Sequence, residues 1–287
     1  MDGQQRLSSI VVFYANRLKL TGLEHWAELN GRFYADLPVK VQRGLDRRRI
    51  SAVVLQSASS SNNGEELRRI VFERLNTGGQ KLNAQELRNC VFASPFASLL
   101  VKLAGFSLFN DLWEIPRYDD HLIDDRASSA LAENPFFKRM IDCELVLRFF
   151  AFRNKKGIKG SVKSILDNWM LQNQSADASV LASMEQDFKS RIELAHDLFG
   201  LSAFKIKDKD EGREKSSQPF HDAIVVACDR QYQNRDRLIQ RKSSLKKGIR
   251  EVFADDDNYE LIVGRANTAD AIKKRLDLVE ECFVDVL

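Results

Sequence analysis

Apolar residues recur along this chain at helical spacing. Leu7, Ile10, Val11, Tyr14 and Leu18 follow the i, i+3, i+4, i+7 pattern and predict an amphipathic helix over residues 4–18. Leu67, Ile70, Val71 and Leu75 repeat the pattern, as do Cys143, Val146, Leu147, Phe150 and Ala151. Ile272, Leu276, Val279 and Phe283 stripe a final helix, with Thr268 placed to cap its start. Strand signals are few and early: residues 32–37 and 50–56 are short, partly β-branched runs bounded by Gly, Pro or Ser. Residues 57–64 read as a polar loop, and residues 205–218, charged and carrying Gly212, as a mobile surface loop. The pattern predicts a mainly α fold, with an α+β N-terminal portion over 1–95 and a helical domain over 96–287.

Composition narrows the classes. At about 150 residues per domain, 287 residues suggest two domains. A content of 44% hydrophobic and 30% charged residues supports a packed core and excludes global disorder. The 44 basic and 41 acidic side chains leave a net charge of +3, too balanced for a dedicated polyanion binder. No apolar run approaches the ~18 residues of a membrane span, and Met-Asp-Gly-Gln-Gln-Arg is no signal peptide. Cys90, Cys143, Cys228 and Cys282 are scattered and read as reduced thiols of a cytoplasmic protein. The 18 Phe fall mostly at helical spacing and read as core.

Two constellations carry candidate chemistry. In Asp2-Gly3-Gln4-Gln5-Arg6, a glycine and polar residues open an amphipathic helix, where free amides and the positive end of the helix dipole suit an anion. Gly3 permits close backbone approach, Gln4 and Gln5 offer amides, and Arg6 can fork onto a phosphate. Asp2 can hold a cation, orient water or simply cap the helix. The second run, residues 72–89, ends one helix at Asn76, turns on Gly78-Gly79, and starts another at Asn83. Glu86 completes a capping box there, and Leu82 and Leu87 stand at staple spacing. A tight helix–turn–helix accounts for those residues. It leaves Glu73, Arg74, Asn76, Thr77 and Arg88 crowded about the turn, where they can line a ligand pocket.

Together these segments resemble the GmrSD-type restriction-endonuclease N-terminal domain family, marked by its DGQQR motif. Asp2-Gly3-Gln4-Gln5-Arg6-Leu7-Ser8-Ser9-Ile10 matches that signature. Residues 72–89 resemble its second block, a helix containing Phe72, then Asn76-Thr77-Gly78-Gly79, then Leu82-Asn83 and Glu86-Leu87-Arg88-Asn89. Residues 138–149 and 264–287 are similar to helices of one branch of the family. The resemblance implies a ParB- and sulfiredoxin-like fold, here partial, with a nucleoside triphosphate and Mg²⁺ as cofactors. Nucleotide-binding residues would be Gly3, Gln4, Arg6, Glu73, Arg74, Asn76, Thr77 and Gly79, with Asp2, Gln5 and Arg6 in catalytic positions. It further implies restriction or phage defence, with NTP hydrolysis and a DNA or nuclease partner. The family's strands that precede DGQQR have no counterpart here, which suggests a late start codon, pairing with another subunit, or a remnant.

Other residues fit a bland reading as well as a functional one. His25, His121, His196 and His221 show no His-Asn-His arrangement and no metal-ligand spacing, so the chain is not expected to cut DNA by itself. His221 beside Asp222 can be an oriented base, but a lone histidine at a helix start is more often structural. Glu144 and Arg148 fit an i,i+4 pair. Arg43, Arg47, Arg48 and Arg49 cluster, as do the bases from Arg235 to Arg250. Arg47, Arg48, Arg241, Lys246 and Lys247 are candidate DNA contacts, against the plainer reading of solvated helix faces without interleaved aromatics.

Overall fold

The computed structural model describes residues 4–48, 82–123, 126–209, 212–263 and 266–287. The chain divides into two compact units, Met1–Lys81 and Leu82–Leu287.

In the first unit, α1 (Gln4–Tyr14) is followed by 3-10 turns at Ala27–Leu29 and Tyr34–Asp36 and by α2 (Val39–Asp46). The first helix stops before Leu18 because Asn16 turns left-handed, with φ of 57°. Its side-chain oxygen there accepts from the Ala35 amide at 2.6 Å. The face that is buried also differs from the expected one. Phe13 packs with Leu29 and Leu37 and meets the Tyr34 ring edge-on at 5.8 Å, while Leu7, Ile10, Val11, Tyr14 and Leu18 are exposed. Residues 32–37 form no strand. Tyr34–Asp36 turns instead as a 3-10 helix, with the Leu37 amide donating to the Tyr34 carbonyl at 3.2 Å, and the Gln42 amide lies within hydrogen-bond reach of the Tyr34, Ala35 and Leu37 carbonyls at 3.2, 3.2 and 2.9 Å. The predicted strand at 50–56, the loop at 57–64 and the helix carrying Leu67, Ile70, Val71 and Leu75 lie outside the described residues.

The second unit is helical. It begins with α3 (Ala84–Val91), α4 (Pro95–Ala104), α5 (Ser107–Trp113) and α6 (Tyr118–His121), then a hairpin of β1 (Leu122–Ile123) and β2 (Arg126–Ala127). There follow α7 (Ser129–Glu133), α8 (Pro135–Lys138), α9 (Ile141–Arg153), α10 (Val162–Gln172) and α11 (Ala178–Phe199). A second antiparallel hairpin joins β3 (Lys205–Lys207) to β4 (Glu214–Ser216). It leads into α12 (Gln218–Arg230), α13 (Arg235–Gln240), α14 (Lys242–Ala254), α15 (Asp256–Val263) and α16 (Ala269–Asp285).

The core is built around α12, whose residues from Ala223 to Cys228 are fully enclosed and which packs against α9, α11 and α16. The predicted stripes fill it: Cys143, Val146, Leu147, Phe150 and Ala151 on α9, and Ile272, Leu276, Val279 and Phe283 on α16. Thr268 caps α16, its hydroxyl accepting from the Ala271 amide at 3.2 Å. The predicted mobile loop at 205–218 is instead the second hairpin. Ile206 is buried, Lys215 pairs with Asp208 at 3.0 Å, and the Ser217 amide donates to the Phe204 carbonyl at 2.8 Å. A few anchors inside a charged run were enough to order it, and Gly212 supplies a turn residue with φ of 67°.

Asp142, at the start of α9, is 1% exposed. It accepts hydrogen bonds from the Tyr118 hydroxyl at 2.6 Å and the Cys143 amide at 2.7 Å. Burial pushes its carboxyl up to about 6, against the lowering pull of those two bonds. The folded chain therefore keeps a proton that the unfolded chain, at about 4, has already lost. That contribution is complete below about pH 4 and disappears as pH rises through about 6. Asp142→Asn can keep the Cys143 bond on its oxygen and donate its amide to the Tyr118 hydroxyl oxygen, without a titrating group. Its stability relative to the parent should rise by about 2–3 kcal/mol between pH ~4 and ~7. Denaturant titrations followed by circular dichroism measure this, and pH-independent differences would contradict it.

Candidate functional site

Of the residues predicted to hold phosphates, water or metal, Asp2, Gly3, Glu73, Arg74, Asn76, Thr77 and Gly79 lie outside the described residues. Gln4, Gln5 and Arg6 form the first turn of α1, an 11-residue helix with no acid in that turn. Its leading amides have no intrahelical carbonyl to meet, and the positive end of the helix dipole sits among them. A helix start without acids and bearing Arg6 has the chemistry for an anion, phosphate oxygens above all. Among the described residues no cluster of three His, Cys, Asp or Glu side chains is placed to hold a metal ion.

The latter half of the second block, residues 82–89, has a structural explanation. Asn83 caps α3, accepting from the Gln85 and Glu86 amides at 2.9 Å each, and Glu86 returns the bond from the Asn83 amide at 2.6 Å. The same Asn83 donates its amide to the Arg139 carbonyl at 2.6 Å, and Arg139 pairs with Glu86 at 3.3 Å. The cap thus also fastens α3 to the chain entering α9. Arg88, 3% exposed, points into the helical unit. Its guanidinium donates to Asp167 at 2.7 Å, Glu144 at 3.0 Å and Gln85 at 3.2 Å. Arg88 is therefore engaged by the fold, which corrects its reading as a ligand-pocket residue.

The expected i,i+4 pair is present, Arg148 to Glu144 at 3.7 Å, but it is the minor contact of Arg148. The major one is Asp222, gripped by Nε at 3.0 Å and Nη2 at 2.5 Å. Burial works against the Asp222 carboxylate, yet Arg148 and His221 outweigh it and hold its pKa below the usual range. His221 is fully buried among Phe204, Trp113 and Phe109, with Nδ1 3.4 Å from Asp222. Burial lowers its pKa despite the opposing pull of Asp222. A neutral, enclosed imidazole beside a carboxylate already held by Arg148 is a core residue, as the bland reading had it. Asp167, Arg139 and Asp222 went unrecognised as partners because they lie far away in sequence.

The predicted DNA contacts sit at helix ends and on one helix face. In the first unit, Arg47 and Arg48 follow α2 and are exposed. In the second, Arg241 separates α13 from α14 and donates to the Val286 carbonyl at 2.8 Å. Lys247 is exposed and pairs loosely with Glu251 at 3.6 Å, and Lys246 is half-buried on the same helix.

Removing Arg88 leaves Asp167 and Glu144 without their shared cation. Arg88→Ala should cost about 2–4 kcal/mol, and Arg88→Lys should recover little because an ammonium lacks the fork that reaches three acceptors. Lys138→Ala, which breaks an exposed pair with Glu133, should change stability by less than about 0.5 kcal/mol. Thermal and denaturant melts compare the three. An Arg88→Ala protein as stable as its parent would return Arg88 to the list of ligand residues.

No curated protein and no solved structure matches the chain. The first third does have a known likeness: residues 1–93, from α1 through α3, match the family described as the GmrSD restriction endonuclease, N-terminal domain.

Proposed function

We propose that this chain is a restriction- or phage-defence-associated module that binds a nucleoside triphosphate with Mg²⁺ through its N-terminal portion. One observation carries the reading: the helix start bearing Gln4-Gln5-Arg6, free of acids, lies inside the region similar to the GmrSD N-terminal domain. The first-turn amides of α1, approached closely at Gly3, and the Arg6 guanidinium take phosphate oxygens. Gln4 donates at the rim, and Gln5 or Asp2 positions water or the metal ion. Glu73, Arg74, Asn76 and Thr77, with the backbone of Gly79, close the other side, as the ParB-like resemblance implies. The metal ion neutralises phosphate charge when bound. The rival reading is a non-catalytic protein whose helical unit docks DNA or a partner nuclease, and the exposed bases on α14 favour it.

Titration of a fluorescent triphosphate analogue with Mg²⁺ separates the two. The nucleotide reading expects saturable binding that Arg6→Ala weakens at least about ten-fold while unfolding stays within about 0.5 kcal/mol of the parent. Loss of stability with unchanged nucleotide binding, or no binding by the parent chain, would sink it. Phosphate release by the parent, abolished in Arg6→Ala, would add turnover to binding.

A further inference from the structure

No aromatic residue interleaves with the bases that follow Arg235 as far as Arg250, but the fold brings Tyr259 together with Phe253 at the end of that stretch. On α14, Lys242, Lys246 and Arg250 stand four residues apart, along one side of about 12 Å of helix. The apolar side of the same helix is set by Leu245 and Ile249, which are buried. None of the three bases forms an ion pair among the described residues. The row ends at a cleft of about 460 Å³ lined by Arg250, Phe253, Ala254, Tyr259, Gly212 and the β3 end, Lys207 to Lys209. That volume lies in the range of small-ligand sites.

The cleft's chemistry is cationic and aromatic. Among the described lining residues, Lys207, Lys209 and Arg250 stand with one carboxylate, Asp208, which Lys215 already holds at 3.0 Å, and outside the lining Asp256 reaches Lys209. Tyr259 is fixed in place, its hydroxyl accepting from the Lys209 amide at 3.2 Å and reaching the Lys207 carbonyl at 3.4 Å. Phe253 is braced edge-on by Phe220 at 5.2 Å. The Lys209 ammonium rests over the Tyr259 ring, 4.6 Å from its centre, and pairs with Asp256. Asp256 is 93% exposed, so its hold on Lys209 is weak and a phosphate can take its place. Braced aromatic rings at the end of a row of unpaired bases are the arrangement by which proteins hold a nucleic-acid strand. The bases of the strand stack on the rings while its phosphates follow the cations.

We propose that the α14 face and this cleft bind single-stranded nucleic acid. Phosphates lie along Lys242, Lys246 and Arg250, and one unstacked base enters between Phe253 and Tyr259. A paired duplex keeps its bases stacked and cannot offer one to the cleft. The surface lies wholly in the helical unit and is independent of the nucleotide reading of α1.

Fluorescence anisotropy on the full chain tests this with labelled oligo-dT and oligo-rU of about 15 nucleotides, a duplex of the same length, and polyglutamate as a charge control. Single strands should bind more tightly than the duplex at about 50 mM salt, and the dT and rU arms show whether the sugar is distinguished. Lys246→Gln and Arg250→Gln should each make the log–log salt dependence shallower by about 0.7. Tyr259→Leu should weaken single-strand binding about ten-fold, while Tyr259→Phe, which keeps the ring, stays near the parent. Circular dichroism melts establish that each variant is folded. Absence of single-strand binding would overturn the proposal, as would equal binding of duplex or polyglutamate. So would a folded Tyr259→Leu that binds like the parent.

Discussion

The Arg148–Asp222 pair sits where the second unit can least tolerate an error. Both residues are almost fully enclosed, on α9 and α12, the two helices that meet at the centre of the core. Removing two charges from water costs several kcal/mol each, and only close, well-aligned contact repays it. Here the guanidinium grips the carboxylate with two nitrogens, and each partner has further company: Glu144 and the Phe152 ring beside Arg148, His221 beside Asp222. The rotation of α12 against α9 is thereby set, because a helix turned by one residue would strand a charge in an apolar interior. Glu144 carries the constraint onward to Arg88 and Asp167, so α3 and α10 are placed by the same alternation of sign.

A second ionic group stands at the far end of α9. Arg153 and Arg191 both donate to Asp229, at 2.7 and 2.9 Å, and both meet Asp187, at 2.9 and 3.2 Å. Two cations and two carboxylates close a ring among α9, α11 and α12. These side chains are more exposed than Arg148 and Asp222, so each contact is worth less, though shared geometry spares much of the entropy of holding them. Between the two groups lies the Phe-rich core, which supplies the bulk of the burial but little direction. In this unit apolar area makes the helices collapse and paired charges decide how they are rotated.

This division of labour explains what could be read from the sequence. Periodicity and capping are local, so α9, α16, the Thr268 cap and the Asn83–Glu86 box were legible residue by residue. Ion pairs between residues some 56 to 79 positions apart leave no periodic trace, so Arg88 looked like an unexplained polar residue near a glycine turn. The first unit departs from its periodic pattern for a related reason. An aliphatic repeat located α1, but Phe13 with the Tyr34 ring decided which side faces inward, and a 3-10 turn at Tyr34–Asp36 stands where the short run at residues 32–37 predicts a strand. In the same way, Tyr259 joined Arg250 and its helical neighbour Phe253 only when the β3–β4 hairpin and α15 closed around them. That Gln4, Gln5 and Arg6 open a helix was legible because helix formation is local, whereas most of their predicted companions lie outside the described residues.

The place where the family likeness ends gives these observations a common sense. The match runs through α3 to residue 93, yet α3 packs with the helical unit that begins at Leu82. The described part of the second block therefore has structural work. Its latter half, Asn83 to Asn89, spends its polar groups on the fold: the cap, the clasp on Arg139, and the Arg88 junction with Asp167 and Glu144. The family likeness and the helical unit therefore overlap in α3, whose cap and ion pairs tie the end of the matched region into the fold of that unit.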